Sequence, residues 1–185
     1  MGHLKDRTWA GKSHIGTRPQ QYQEYYSIVR QIRPKMICEI GMNAGHSTAI
    51  FLSAAGRDAR LVMFDLGTFS YSSSAAKFLQ ALFPGQLTFH FGDSKVTFPV
   101  WRAKMGERRP CDLFSVDGAH SYAGAKADFL AAVDATRSGG VLVFDDMVSG
   151  SPTRRAFDEV RAWRLRECAL HRERAIQDLE ARSLR

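Results

Sequence analysis

The chain has 185 residues, 44% hydrophobic and 24% charged, the balance of an ordinary globular protein with length for one sizeable core. No apolar run approaches the roughly 20 residues that cross a bilayer. The N-terminal "MGHLKDRTWAGKSH" lacks an apolar signal core, so no membrane partner and a cytoplasmic location are expected. The net charge of +7 lies at the ends: residues 1–38 carry +5 and 154–185 carry +3, while 39–153 carry −1, which argues against nucleic acid as the partner of a central site.

In chain order, "PQQYQEYYSIVRQI" (19–32) predicts an amphipathic helix with Pro near its start. Five short runs rich in β-branched and aromatic residues follow, each ending in Gly, Asp or an apolar residue beside one. They are "KMICEIG" (35–41), "RLVMFDL" (60–66), "QLTFHFGD" (86–93), "CDLFSVD" (111–117) and "GGVLVFDD" (139–146). Helical stretches separate them at 46–56, 72–83, about 95–105 and 121–136. Strand and helix in alternation predict an α/β, Rossmann-like, doubly wound and mostly parallel sheet, with ligands at the carboxyl ends of its strands. After the last strand, Ser151 and Pro152 read as the start of another helix, with Phe157, Val160 and Trp163 at helical spacing. Beyond Arg164 the pattern fits either a charged helix or a short edge strand, "LRECAL", followed by one. One domain is expected, with an entrance segment at 1–33, a core at 34–150 and a basic tail at 151–185. Cys38, Cys111 and Cys168 are odd in number and far apart, and read as buried free thiols of a reducing compartment.

Three strand ends carry chemistry in register. "EIGMNAGHST" (39–48) places Gly41 and Gly45 at a strand-to-helix junction, where the backbone turns sharply and a ligand can come close. Its G-x-x-x-G spacing is not the G-x-G-x-x-G dinucleotide fingerprint. Glu39, just before the first glycine, suits a cationic ligand better than a diphosphate. Asp65 ends the second strand, where a carboxylate can accept both hydroxyls of a ribose. Asp93 and Ser94 end the third, beside the place for an adenine edge. A Gly-rich turn among ordinary strand-end acids is the plainer alternative. Further on, Asp117 and the Asp145–Asp146 pair end the fourth and fifth runs, with His120 three residues after Asp117. Carboxylates gathered at the ends of core strands are costly unless something compensates them.

These motifs resemble the class I S-adenosylmethionine-dependent methyltransferases over roughly residues 15–163. "CEIGMNAGHST" is similar to their glycine-rich motif, Asp65 to the ribose-binding acid, Asp93–Ser94 to the adenine-side pair and "DLFSVDG" to the fourth-strand motif. "FDLG", "FPGQLTFHFGDS", "SVDGAHSYAGAKADF" and "GGVLVFDDM" resemble, more narrowly, small-molecule O-methyltransferases related to the catechol and caffeoyl-coenzyme A enzymes. The resemblance implies about seven strands, one reversed, with the cofactor over the first three. It implies Glu39, Gly41, Asn43, Gly45, Ser47, Asp65, Leu66, Asp93, Ser94 and Asp117 as the cofactor's contacts.

Carried over from the catechol-type relatives, Asp117, Asp145 and Asp146 would hold one divalent cation, Mg²⁺ by their oxygen-only chemistry. The alternative leaves Asp145 capping its strand and Asp146 facing solvent or capping a helix. His120 stands where those relatives carry a lysine base, and an imidazole can take the proton of an acidified hydroxyl beside Asp117. It also reads as a helix cap or an extra metal ligand. Trp9, Lys12, His14, Gln20 and Tyr22 read equally as lid or acceptor contacts and as helix packing. The expectation is O-methylation of a small-molecule acceptor. RNA or protein methylation and a non-catalytic binding protein stand as alternatives. The tail departs from the relatives' closing hairpin, which leaves a homodimer through that edge open.

Overall fold

The computed structural model describes residues 19–164. Trp9, Lys12, His14, Cys168 and the "LRECAL" segment lie outside the described residues. In order, the elements are α1 (Pro19–Ile32), β1 (Met36–Ile40), α2 (His46–Ala55), β2 (Arg60–Asp65), α3 (Ser72–Leu82), β3 (Leu87–Phe91), α4 (Ser94–Ala103), β4 (Cys111–Val116), α5 (Tyr122–Ala135) and β5 (Thr136–Phe144). A last described helix, α6, covers residues 152–164 and opens as expected, with Ser151 Oγ accepting from the Arg154 amide at 3.0 Å.

The five strands form one sheet in the order β3-β2-β1-β4-β5, with every pair parallel. Alternate strand residues face opposite layers, so each strand feeds two cores. Ile37, Leu61, Met63, Leu87 and Leu113 pack under α1, α2 and α3. Cys38, Ile40, Val62, Phe64, Phe114 and Val116 pack under α4, α5 and α6. This is the doubly wound α/β arrangement, and strand order reverses between β1 and β4, where such sheets open a ligand crevice. Five strands lie within the described residues, against the seven that the resemblance implies.

Two local features differ from expectation. β5 starts at Thr136, straight off α5, rather than at Gly139. Cys111 pairs with Thr136 but Leu113 pairs with Val141, so the stretch around Gly139, at φ +74°, bulges out of the ladder. A bulge breaks the alternation by which strands are read, which is why the first residues of β5 look like loop. Second, Cys38 and Cys111 are not free thiols. They are joined in a disulfide between β1 and β4, with Cα atoms 5.8 Å apart and both residues fully buried. Neighbouring strands bring them within bridging range, a proximity that 73 residues of sequence separation hide. Nearby, Asp112 ties the amino ends of the strands by accepting from the Lys35 and Met36 amides at 2.7 and 2.9 Å and pairing with Arg137.

Candidate active site

At the carboxyl edge, backbone bonds carry the ladder past the strand ends. Gly41 N–H donates to Phe64 O at 2.8 Å, Asp117 N–H to Ile40 O at 2.8 Å and Asp145 N–H to Val116 O at 3.0 Å. At the β1–β4 switch point the two backbones almost touch. A Cβ on Gly41, at φ +91°, would lie 1.9 Å from Asp117 O, so only glycine fits. Gly45, at φ +84°, starts α2, and a Cβ there would meet Leu79 Cδ1 at 2.4 Å. Above these turns opens a cleft of about 700 Å³, lined among others by Gly41, Asp65, Ser94, Asp117, His120 and Asp146.

Asp65 organises the first wall. Its Oδ2 accepts from the Met42 and Asn43 amides at 2.8 and 3.0 Å, and its Oδ1 from the Gly67 amide at 2.7 Å. Three of a carboxylate's roughly four acceptor positions are thus taken by backbone. About one acceptor position is left for a further donor. Asn43, at φ +51°, is tied to the next loop by the Tyr71 hydroxyl, which donates to its Oδ1 at 2.6 Å. Ser47 and Leu66 also line the cleft. Glu39 does not: it is 1% exposed and accepts from Ser47 Oγ and Thr48 Oγ1, both at 2.5 Å. Burial pushes its carboxyl up to about 7 despite these two donors. It braces the glycine-rich turn from below instead of lining the cleft.

Asp93 caps α4 by accepting from the Lys95 amide at 2.9 Å, and both Asp93 and Ser94 face the cleft. Behind them stands Asp128 of α5, 2% exposed, whose Oδ1 takes the Ser94 hydroxyl at 2.6 Å and whose Oδ2 takes the Ala119 amide at 3.1 Å. Burial holds its pKa above the ordinary value. A mid-helix acid inside an otherwise apolar, alanine-rich face was the one signal that could have singled it out.

In the same cleft, Asp117, His120 and Asp146 each offer a ligand atom within 4.8 Å of the others. His120 Nε2 lies 2.9 Å from Asp146 Oδ2, while the cap of α5 is Ser121, whose Oγ accepts from the Gly124 amide at 3.2 Å. Asp117 is open to the cleft on one side and enclosed by protein on the others. Lost hydration, then repulsion from Asp145, Asp146, Glu39 and Asp65, pushes its carboxyl up to about 8. Asp145 lines the cleft as well, outside that trio. Its Oδ2 accepts from Gln21 Nε2 at 2.7 Å and its Oδ1 from the Asp146 amide at 2.8 Å. That last bond braces Asp146 in the left-handed region, at φ +57°.

Helix α1 therefore reaches the acids through Gln21, not through Gln20 or Tyr22, which are exposed. Gln21 Nε2 also donates to Tyr25 Oη at 3.1 Å, and Tyr25, 7% exposed, has its pKa raised first by burial and then by Asp145. A shell of α5–α6 contacts closes the outer side: the Tyr122 hydroxyl donates to Glu159, and Lys126 Nζ pairs with Glu159 at 2.6 Å. Two oxygens and an imidazole nitrogen at this spacing, amid excess negative charge, fit a divalent cation.

Comparison with known proteins follows this geometry. No curated protein matches the sequence. Among solved structures, the O-methyltransferase TomG from Streptomyces achromogenes, in complex with S-adenosylmethionine, aligns with TM-score 0.63 and 23% identity over 77% of this chain and 66% of that one. An O-methyltransferase from Bacillus cereus in complex with S-adenosylhomocysteine aligns with TM-score 0.62 and 18% identity, over 78% and 70%. Cofactor-bound Rv0187 from MTB aligns with TM-score 0.65 and 22% identity, over 79% and 69%. At these identities the likeness establishes the fold, and the chain spans about two thirds of each of these proteins. The family model described as a methyltransferase domain matches residues 38–147, from β1 to the acids after β5, and the chain belongs to that family.

Proposed function

We propose that this chain is an S-adenosylmethionine-dependent methyltransferase that O-methylates a small-molecule hydroxyl, with a divalent cation held by Asp117 and Asp146 and with His120 beside it as the base. The observation that carries the reading is one continuous cleft. Asp65 and Ser94, which suit a nucleoside, and the Asp117–His120–Asp146 trio, which suits the chemistry, line that same cleft. The relatives named above bind the same cofactor or its demethylated product.

When bound, S-adenosylmethionine supplies a methyl on a positive sulfur, already a good leaving group. The protein then has two tasks, placing the acceptor oxygen in line and removing its proton. Asp146 Oδ2 takes the Nε2 proton of His120 and orients the ring, which leaves Nδ1 as the atom that accepts a proton. Asp146 also steadies the imidazolium that forms. A cation on Asp117 and Asp146 would supply Lewis-acid polarisation of the acceptor hydroxyl. The loop around Gly41, braced by Asp65 and Glu39, holds the cofactor's polar periphery rather than its sulfur. That placement matters because positive charge disappears from sulfur as the methyl leaves.

Calorimetry tests both halves. S-adenosylhomocysteine should bind wild type and Asp146→Ala alike, and Mn²⁺ should bind wild type at least about tenfold more tightly than Asp146→Ala, since one charged ligand is lost. No binding of the nucleoside to wild type overturns the methyltransferase reading. Equal Mn²⁺ binding to the two proteins removes the cation alone.

A further inference from the structure

Asp128 is a buried acid that the mechanism above leaves without a task. Its two oxygens are committed to different loops, Oδ1 to the Ser94 hydroxyl and Oδ2 to the Ala119 amide. Ser94 and Ala119 line the end of the cleft where β3 and β4 finish. The amide of Ala119 can only donate, so Oδ2 must accept. The hydroxyl of Ser94 can point its proton either way, and a carboxylate oxygen 2.6 Å away captures it. Ser94 Oγ then offers the cleft lone pairs only. Ser94 is also the first residue of α4, where a backbone N–H has no partner within the helix and can only donate.

We propose that Asp128 is a positioning residue that sets base specificity in the cofactor pocket, by fixing Ser94 Oγ as a hydrogen-bond acceptor beside a donating amide. That pair is complementary to adenine, whose exocyclic amino group donates while N1 accepts. It is mismatched with a 6-oxopurine, whose O6 accepts while N1–H donates. The inference rests on the proposed cofactor and adds to it a reason for the choice of base. It also accounts for a carboxylate kept 2% exposed in an alanine-rich helix face, where an apolar side chain would pack at lower cost.

An Asp128→Asn variant separates this role from simple support. The Ala119 N–H still requires an oxygen, so the amide's NH₂ must turn to Ser94. Ser94 Oγ then accepts from Asn and releases its own proton toward the cleft. The polarity of the reading group reverses while the loop contacts survive.

The experiment measures the affinities of S-adenosylhomocysteine and its hypoxanthine counterpart, S-inosylhomocysteine, for wild type, Asp128→Asn and Ser94→Ala by calorimetry. Wild type should favour the adenine compound by on the order of tenfold or more, the penalty of one mispaired buried group. Asp128→Asn should narrow that ratio by about tenfold or invert it, and Ser94→Ala should narrow it with Asp128 intact. A ratio unchanged in both variants overturns the inference and leaves the cofactor reading standing. Failure of wild type to bind either compound overturns both. Should Asp128→Asn not fold, an unchanged ratio in Ser94→Ala still overturns the inference.

Discussion

Glu39 carries a pH dependence that can be read from one residue. Its carboxyl is 1% exposed and sits at about 7, against 4.5 for the free group, because burial outweighs the donors Ser47 and Thr48. A raised acid pKa means that the folded protein holds a proton which the unfolded chain has already lost. The stabilising share is therefore complete below about 4.5 and fades as pH rises through 7. Two to three units correspond to roughly 3 kcal/mol. In Glu39→Gln that fade should disappear. Urea midpoints taken from pH 4.5 to 8 should fall more steeply for wild type than for the variant, and parallel profiles would show that Glu39 titrates normally in the fold. Asp117 is pushed the same way, to about 8, by lost hydration and then by neighbouring acids whose charge a bound cation would offset, so Glu39 is the cleaner reporter.

Among the elements, α1 has the least obvious task. It packs on α2 through Tyr25 and Val29, as its amphipathic pattern foretells. Its Gln21 also reaches across to Asp145, 124 positions away, and from there the Asp145–Asp146 contact leads to His120. Replacing Gln21 with Leu leaves a half-buried carboxylate oxygen without its donor, at a cost of about 1–3 kcal/mol in urea unfolding. Because Gln21 does not line the cleft, S-adenosylhomocysteine affinity should stay within about twofold. An equally stable variant would mean that Asp145 finds its partner elsewhere. This tether also marks the limit of what sequence can reveal. Hydrophobic periodicity and strand-end acids expose the elements, their order and the residues at the cleft, since both follow from local pattern. Which of two adjacent acids groups with Asp117 and His120 is set by a left-handed φ at Asp146 and by a glutamine from another element that holds Asp145. Neither leaves a local signal. Asp128 was hidden for a similar reason: helical spacing places it on a buried face, but only the fold supplies Ser94 and Ala119 as its partners.

Over the whole molecule, charge and cross-linking follow different logics. The basic excess sits at the chain's ends, and the described core is close to neutral with its acids concentrated at the cleft, which suits a sulfonium cofactor and a cation better than a phosphate backbone. The disulfide spans the same centre from below. Cys38 and Cys111 join β1 to β4, the two strands whose ends carry Gly41 and Asp117. Closing a loop of 73 residues removes unfolded-state entropy worth about 4 kcal/mol in the chain-entropy estimate. The double variant Cys38→Ala/Cys111→Ala should therefore unfold at markedly lower urea concentration than the oxidised protein. Thiol titration supplies the direct check. The chain has three cysteines, so the denatured, unreduced protein should expose a single reactive thiol, and reduction in denaturant should raise the count to three. Both bonded residues are fully buried, so a reductant added to the native protein should leave the count unchanged until unfolding exposes the bridge. Three thiols before reduction would mean that β1 and β4 are held by packing and hydrogen bonds alone, and the double variant should then lose little stability beyond that of two small buried side chains.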